Sequence, residues 1–205
     1  AAEIGDARLG ARVELIEAGR AQFVGGPDLG PRALETVAAT VPILEQAGDD
    51  AGLARAARLE MYTKVMAGRL KEATAASARI LEHARRAGDE RLVSRSAAPI
   101  AYILVHGPEP VENAITRARE MLAEVRGDRK TEAIILGALA QLQAMNEEFD
   151  PARTTYRAAQ DILLELGTGV DASSTSMDSA QVELLAGNVD AAERKLRRDY
   201  DALEA

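Results

Sequence analysis

Apolar positions recur at helical spacing along nearly the whole chain. Tyr156, Ala159, Leu163 and Leu166 fall on one face of a 3.6-residue repeat, as do Ala114, Ala118, Met121 and Val125. Ala192, Leu196, Tyr200 and Leu203 form a third such stripe, and the strict alternation that marks a strand never persists. The stripes are punctuated by one recurring scrap: "EQAGDDAGL" around Gly48, "RRAGDERL" around Gly88, "EVRGDRKTE" around Gly127 and "LELGTGVDA" around Gly167. The period is about 40 residues. A glycine that takes the left-handed conformation closes a helix. An Asp or Thr directly after it caps the next one by accepting from a free amide. Gly48-Asp49, Gly88-Asp89, Gly127-Asp128 and Gly167-Thr168 are therefore each expected to end one helix and start another.

A second set of turns lies midway, at Gly26, Gly68, Gly107, Asn146 and Gly187. Four of these lead into an apolar residue followed three positions later by Ala: Leu70 and Ala73, Val111 and Ala114, Phe149 and Ala152, Val189 and Ala192. Each unit is thus two helices and two turns. The pattern predicts an all-α chain of about five antiparallel pairs, near Asp6–Gln46, Asp50–Ala87, Glu90–Arg126, Arg129–Leu166 and Ala172–Glu204. Pro99 sits mid-helix in "RSAAPIAYIL", where it removes a backbone bond and crowds the carbonyl of Arg95, so a kink is expected. With the stiff turn Gly107-Pro108-Glu109-Pro110 behind it, the third unit is expected to be the least regular.

The fourth unit, "LGALAQLQAMNEEFDPARTTYRAAQ", carries a family resemblance. It resembles a tetratricopeptide (TPR) repeat. Leu136, Leu139 and Ala140 stand at the large, Leu and small positions of the first helix. Phe149 stands at the aromatic of the turn, and Ala152, Tyr156 and Ala159 match the second helix. The other units match at the turn and the following Ala, and the period exceeds the usual ~34 residues by nearly a turn per helix. The runs "YRAAQDILLELG" and "VELLAGNVDAAERKLRRDYDALEA" are similar to arrays in large bacterial signalling proteins. There such arrays accompany an ATPase module and a nucleotide cyclase or a transcriptional regulator. The resemblance implies a right-handed superhelical solenoid whose first helices line a concave groove. It also implies a cytoplasmic scaffold or sensor without chemistry of its own. On this reading residues 1–205 are one TPR-like domain, a fragment of a longer protein, with a protein or peptide partner or the parent protein's neighbouring domains as its ligand.

Composition narrows the alternatives. Aromatics are 3% of the chain and Trp is absent, so the core must be built from Ala, Leu, Ile, Val and Met, which suits packed helices. With no Cys there is no disulfide or thiolate chemistry. A net charge of −8 argues against a nucleic-acid partner, which calls for a basic face. No apolar run approaches the ~20 residues that a membrane span needs, and "AAEIGDARLG" does not read as a signal peptide.

Catalytic motifs are missing: there is no phosphate loop, no G-x-S-x-G and no H-E-x-x-H. "GGPDLG" is Gly-rich, but Pro27 and Asp28 suit a turn and a helix start. His83 and His106 lie in different helices without metal-ligand spacing; His83 reads as a solvated face and His106 as a helix C-terminus. Asp49-Asp50 and Glu147-Glu148 read as solvated or capping acids, and "RKLRR" (194–198) as a solvated surface. No catalytic residue, metal site or cofactor is assigned, and the chain is not read as an enzyme; the alternative is an effector-binding domain or an enzyme with a pocket enclosed by the superhelix.

The candidate site is the groove. In "AGLARAARLEMYTKVMAG" Arg55, Arg58 and Tyr62 share a face, and the count back from the turn at Leu70 points that face inward. The same count gives Gln141 and Gln181 in the next units but one and two. Two Arg and a Tyr in a groove suit a carboxylate or an acidic peptide, because the guanidinium pairs with such groups through two bonds. Two competing expectations are that Arg55 and Arg58 pair with Glu60 or Asp50 while Tyr62 is core, and that a one-residue shift brings Ala57, Met61 and Lys64 inward instead. Finally, Leu196, Tyr200 and Leu203 on the last helix, without a following unit to cover them, are expected to support a homodimer.

Overall fold

The computed structural model describes residues 2–24, 28–125, 127–167 and 176–204. Ten α-helices account for nearly all of them, and no strand occurs among the described residues. In chain order they are α1 (Ala2–Val24), α2 (Leu29–Gln46), α3 (Asp50–Met66), α4 (Leu70–Ala87) and α5 (Glu90–His106). Then follow α6 (Val111–Glu124), α7 (Arg129–Met145), α8 (Phe149–Glu165), α9 (Ser176–Leu185) and α10 (Val189–Glu204). The chain divides into two compact units, Ala1–Ile103 and Leu104–Ala205. Within the first, α1 packs on α2 and α3, α2 on α3, and α3 on α4. Within the second, α7 packs on α6 and α8, and α9 packs on α7, α8 and α10.

The two kinds of helix bury themselves differently. The second helices of the pairs carry one apolar stripe: α4 buries Ala73, Ala76, Ser77, Ile80, Leu81 and Ala84. The first helices have neighbours on more than one side. α7 buries Ala133, Ile135, Ala138, Leu139, Ala140, Leu142 and Ala144, which fit no single stripe. So much alanine is what lets α3 and α7 approach their neighbours closely. In the first unit Ala11, Leu15, Ala33, Val37, Leu44, Ala56 and Leu59 form one buried cluster from α1, α2 and α3. In the second unit Ala144, Ala152 and Val182 pack together with Phe149, so the aromatic of the turn in the fourth pair does seat against the core.

The recurring turn is a single device. Gly88 takes φ 64°, the Asp89 amide reaches back to the Ala84 carbonyl at 3.0 Å, and the Asp89 carboxylate accepts from the Leu92 amide at 3.0 Å. Asp49 and Asp128 cap α3 and α7 the same way, accepting from Gly52 and Thr131. The left-handed position is Gly at 48, 68, 88, 127, 167 and 187, but in the α7–α8 turn it is Glu147, with φ 62°. The turn expected at Asn146 is there, formed by Asn146 and Glu147. Pro110, with φ −53°, directly precedes α6. α5 runs through Pro99, and α2 likewise runs through Pro42. The expected turn at Gly26, the Thr168 cap and the helix start at Ala172 lie outside the described residues.

These turns give a paired test. A Cβ on Gly88 meets nothing within 4 Å, so Gly88→Val suffers only from its φ. A β-branched residue there is expected to cost about 2 kcal/mol. Glu147→Gly relieves the same conformation and is expected to gain up to about 1 kcal/mol, less the extra entropy of an unfolded Gly. Urea unfolding of both variants checks this; equal midpoints for Gly88→Val and the parent contradict the role given to Gly88.

Two buried carboxylates tie helices together. Asp49 is 5% exposed and is held by both the Nε and the Nη2 of Arg12 on α1. That hydrogen bond, more than any other influence, draws its pKa below the ordinary carboxylate value; the Gly52 amide and the charges of Arg12 and Arg8 act the same way against the burial that opposes them. Glu183 on α9 is 6% exposed and takes Arg153 at 3.1 and 2.9 Å and Asn188 at 3.2 Å. Its pKa is lowered too, first by Arg153. His83 is not on a solvated face: its Nδ1 lies 2.6 Å from Asp50 on α3. His106 does end α5. The Glu148 carboxylate accepts from the Asn146 side-chain Nδ2 at 2.7 Å. In "RKLRR" Arg194, Leu196, Arg197 and Arg198 are exposed, but Lys195 is half-buried and lies 3.3 Å from Ser179.

Candidate ligand-binding groove

A concave groove of about 460 Å³ opens on the first unit, and every residue lining it comes from the first helix of a pair. α1 supplies Leu15, Ile16, Gly19, Arg20 and Gln22. α3 supplies Arg55, Arg58, Leu59 and Tyr62, and α5 supplies Leu92 and Arg95. Leu15, Leu59 and Leu92 are buried and form an apolar floor beneath four arginines. Among the described residues no acidic side chain lines it, although the whole chain carries a net charge of −8.

The register follows from local packing. Ala57 and Met61 are buried in the core, and Lys64 is spent on Glu60 at 2.5 Å and Glu72 at 3.4 Å. Arg55, Arg58 and Tyr62 line the groove, and Ala57, Met61 and Lys64 do not. The local acids are also spent elsewhere. Glu60 binds Lys64 and Arg79, and Asp50 lies against His83 and Arg86. Arg55 has one acid within reach, Asp89 at 3.9 Å, and both side chains of that pair are partly exposed.

Arg58 is different. Its guanidinium carbon sits 5.0 Å from the centre of the Tyr62 ring, a cation–π arrangement. Its Nε is buried without a hydrogen-bond partner. Arg58, Arg20 and Arg95 make no ion pair among the described residues. Gln22 is engaged with the Thr63 hydroxyl. The groove therefore concentrates positive charge that the fold does not neutralise, next to a flat aromatic face and over an apolar floor.

Gln141 and Gln181 belong to the second unit and do not line this groove; Gln141 is half-buried and Gln181 exposed. Arg20 and Arg95 were not singled out from the sequence. The available signal was that they, like Arg58, lie on first helices; the sequence did not say how those helices align side by side. A second hollow on the first unit, between α1 and α2, mixes Glu14 and Glu17 with Arg32 and has no such excess of one sign.

Among the described residues no cluster of three His, Asp or Glu has the placement to hold a metal, and no helix is long and apolar enough to cross a membrane. No protein-family model matches the chain, and no curated protein matches it either.

Proposed function

We propose that this chain is a TPR-like, non-catalytic regulatory module of a cytoplasmic bacterial signalling protein, and that it binds its ligand or partner through the groove on the first unit. One observation carries the reading: three successive first helices present a concave surface on which three of four arginines, Arg20, Arg58 and Arg95, make no ion pair among the described residues. The buried carboxylates with lowered pKa support it, because Asp49 and Glu183 are both consumed in fastening helices rather than poised toward a substrate. The test is a binding screen of the 205-residue chain against peptides tiled from its parent protein's other domains and against small anions, with the footprint mapped by amide chemical shifts. Shifts at α1, α3 and α5 without turnover of the ligand support the proposal. A footprint elsewhere, or turnover, overturns it.

Self-association through the C-terminal helix belongs to the same reading. Leu196 is 41% and Tyr200 60% exposed on α10, while the Leu203 side chain lies outside the described residues. Light scattering is expected to show a mass that rises with concentration, and Leu196→Glu is expected to abolish the rise. A strict monomer at every concentration removes this element without touching the groove.

A further inference from the structure

We infer that the first-unit groove is an effector site for a small planar dianion: an aromatic body carrying a phosphate or two carboxylates. This rests on the groove being the binding surface and adds what it takes. The volume of about 460 Å³ falls within the size of small-molecule sites, ~300–1,000 Å³. The charge asks for an anion with more than one negative charge. Arg20, Arg58 and Arg95 are without acid partners among the described residues, and Arg55 holds Asp89 only at 3.9 Å. A guanidinium fork matches the two oxygens of a carboxylate or phosphate.

The walls ask for a flat, partly apolar body. The Arg58 guanidinium lies over the Tyr62 ring, 5.0 Å from its centre, and Leu15, Leu59 and Leu92 close the bottom. An acidic peptide fits the charge but not the remaining polar groups. A peptide backbone brings N–H groups that need acceptors, and among the described lining residues only Tyr62 and Gln22, whose amide is engaged with Thr63, carry one on a side chain. A small anion needs no such partner.

Phenyl phosphate and isophthalate are the probes, one for each source of the charge, titrated calorimetrically into the full chain. Inorganic phosphate, phenol and a capped Asp-Glu dipeptide serve as controls for charge alone, ring alone and a peptide. At least one planar dianion is expected to bind one-to-one, tenfold or more tighter than all three controls. Arg58→Gln and Arg95→Gln are each expected to weaken it tenfold or more. Arg58→Lys, which keeps the charge and loses the fork, is expected to weaken it as well. Arg86→Gln, whose parent side chain pairs with Glu82 away from the groove, is expected to change nothing. Equal binding of inorganic phosphate, indifference to Arg58→Gln in a variant that melts like the parent, or no binding of either dianion overturns the inference. Preferential binding of the dipeptide with a footprint on α1, α3 and α5 also overturns it, and leaves the binding-module reading standing. A footprint elsewhere removes both.

Discussion

Replacing Asp49 with alanine is expected to destabilise the first unit by about 2–3 kcal/mol. One side chain does two jobs. Its Oδ1 caps α3 through the Gly52 amide at 3.0 Å, and both of its oxygens hold Arg12 from α1. Loss of the cap alone is worth about 1 kcal/mol. Loss of the pair adds the cost of leaving Arg12 uncompensated, moderated because that side chain is 30% exposed and still reaches water. The same link gives a pH dependence. The folded-state pKa of Asp49 lies below its unfolded value, so the folded protein holds fewer protons on it. Its contribution is therefore fully present above the ordinary carboxylate pKa and is lost as pH falls through the depressed folded value. Urea midpoints measured from neutral to acid pH are expected to fall less steeply in Asp49→Asn than in the parent. Parallel curves would mean that Asp49 does not carry this linkage. Because α1 supplies Arg20 to the groove and Arg12 to Asp49, loosening this pair is also expected to weaken ligand binding.

The fold was legible because its punctuation is chemical. A left-handed Gly followed by a capping Asp closes one helix and opens the next, and that couplet can be read without any tertiary knowledge. Glu147 escaped because the left-handed position there carries a side chain, and nothing in "MNEEFD" marks which residue takes it. The groove was half legible. Arg55, Arg58 and Tyr62 share one helix face, and intrahelical spacing alone brings them together. Arg20 and Arg95 join them only through the side-by-side alignment of α1, α3 and α5, which no local pattern encodes. The same limit hid the Arg12–Asp49 and His83–Asp50 contacts, whose partners are more than thirty residues apart in sequence. Gln141 and Gln181, reached by extending one register along the chain, belong to the other unit.

Two helical glycines of opposite character provide the last test. Gly52 lies in the first turn of α3, and a Cβ there would stand 2.6 Å from Leu44 Cδ2 and 2.8 Å from Asp49 Oδ2. Neither neighbour has room to yield: Leu44 is fully buried in the first-unit core, and Asp49 is fixed by Arg12. Gly52→Ala regains ~1 kcal/mol of helix propensity but overpacks a close-packed contact at a cost of ~1–3 kcal/mol, so a net loss is expected. Gly52→Val adds two methyl groups to the same contact and is expected to cost about 3 kcal/mol and to disturb the cap with it. Gly137 in the middle of α7 has nothing within 4 Å of its would-be Cβ and no left-handed φ. There Gly137→Ala keeps the propensity gain and is expected to stabilise by roughly 0.5–1 kcal/mol. Thermal unfolding of the two alanine variants side by side decides the matter, because both add the same methyl to the same kind of backbone. Opposite signs follow if close approach at Leu44 and Asp49 is what requires glycine at 52; a Gly52→Ala variant as stable as Gly137→Ala would show that the contact relaxes freely.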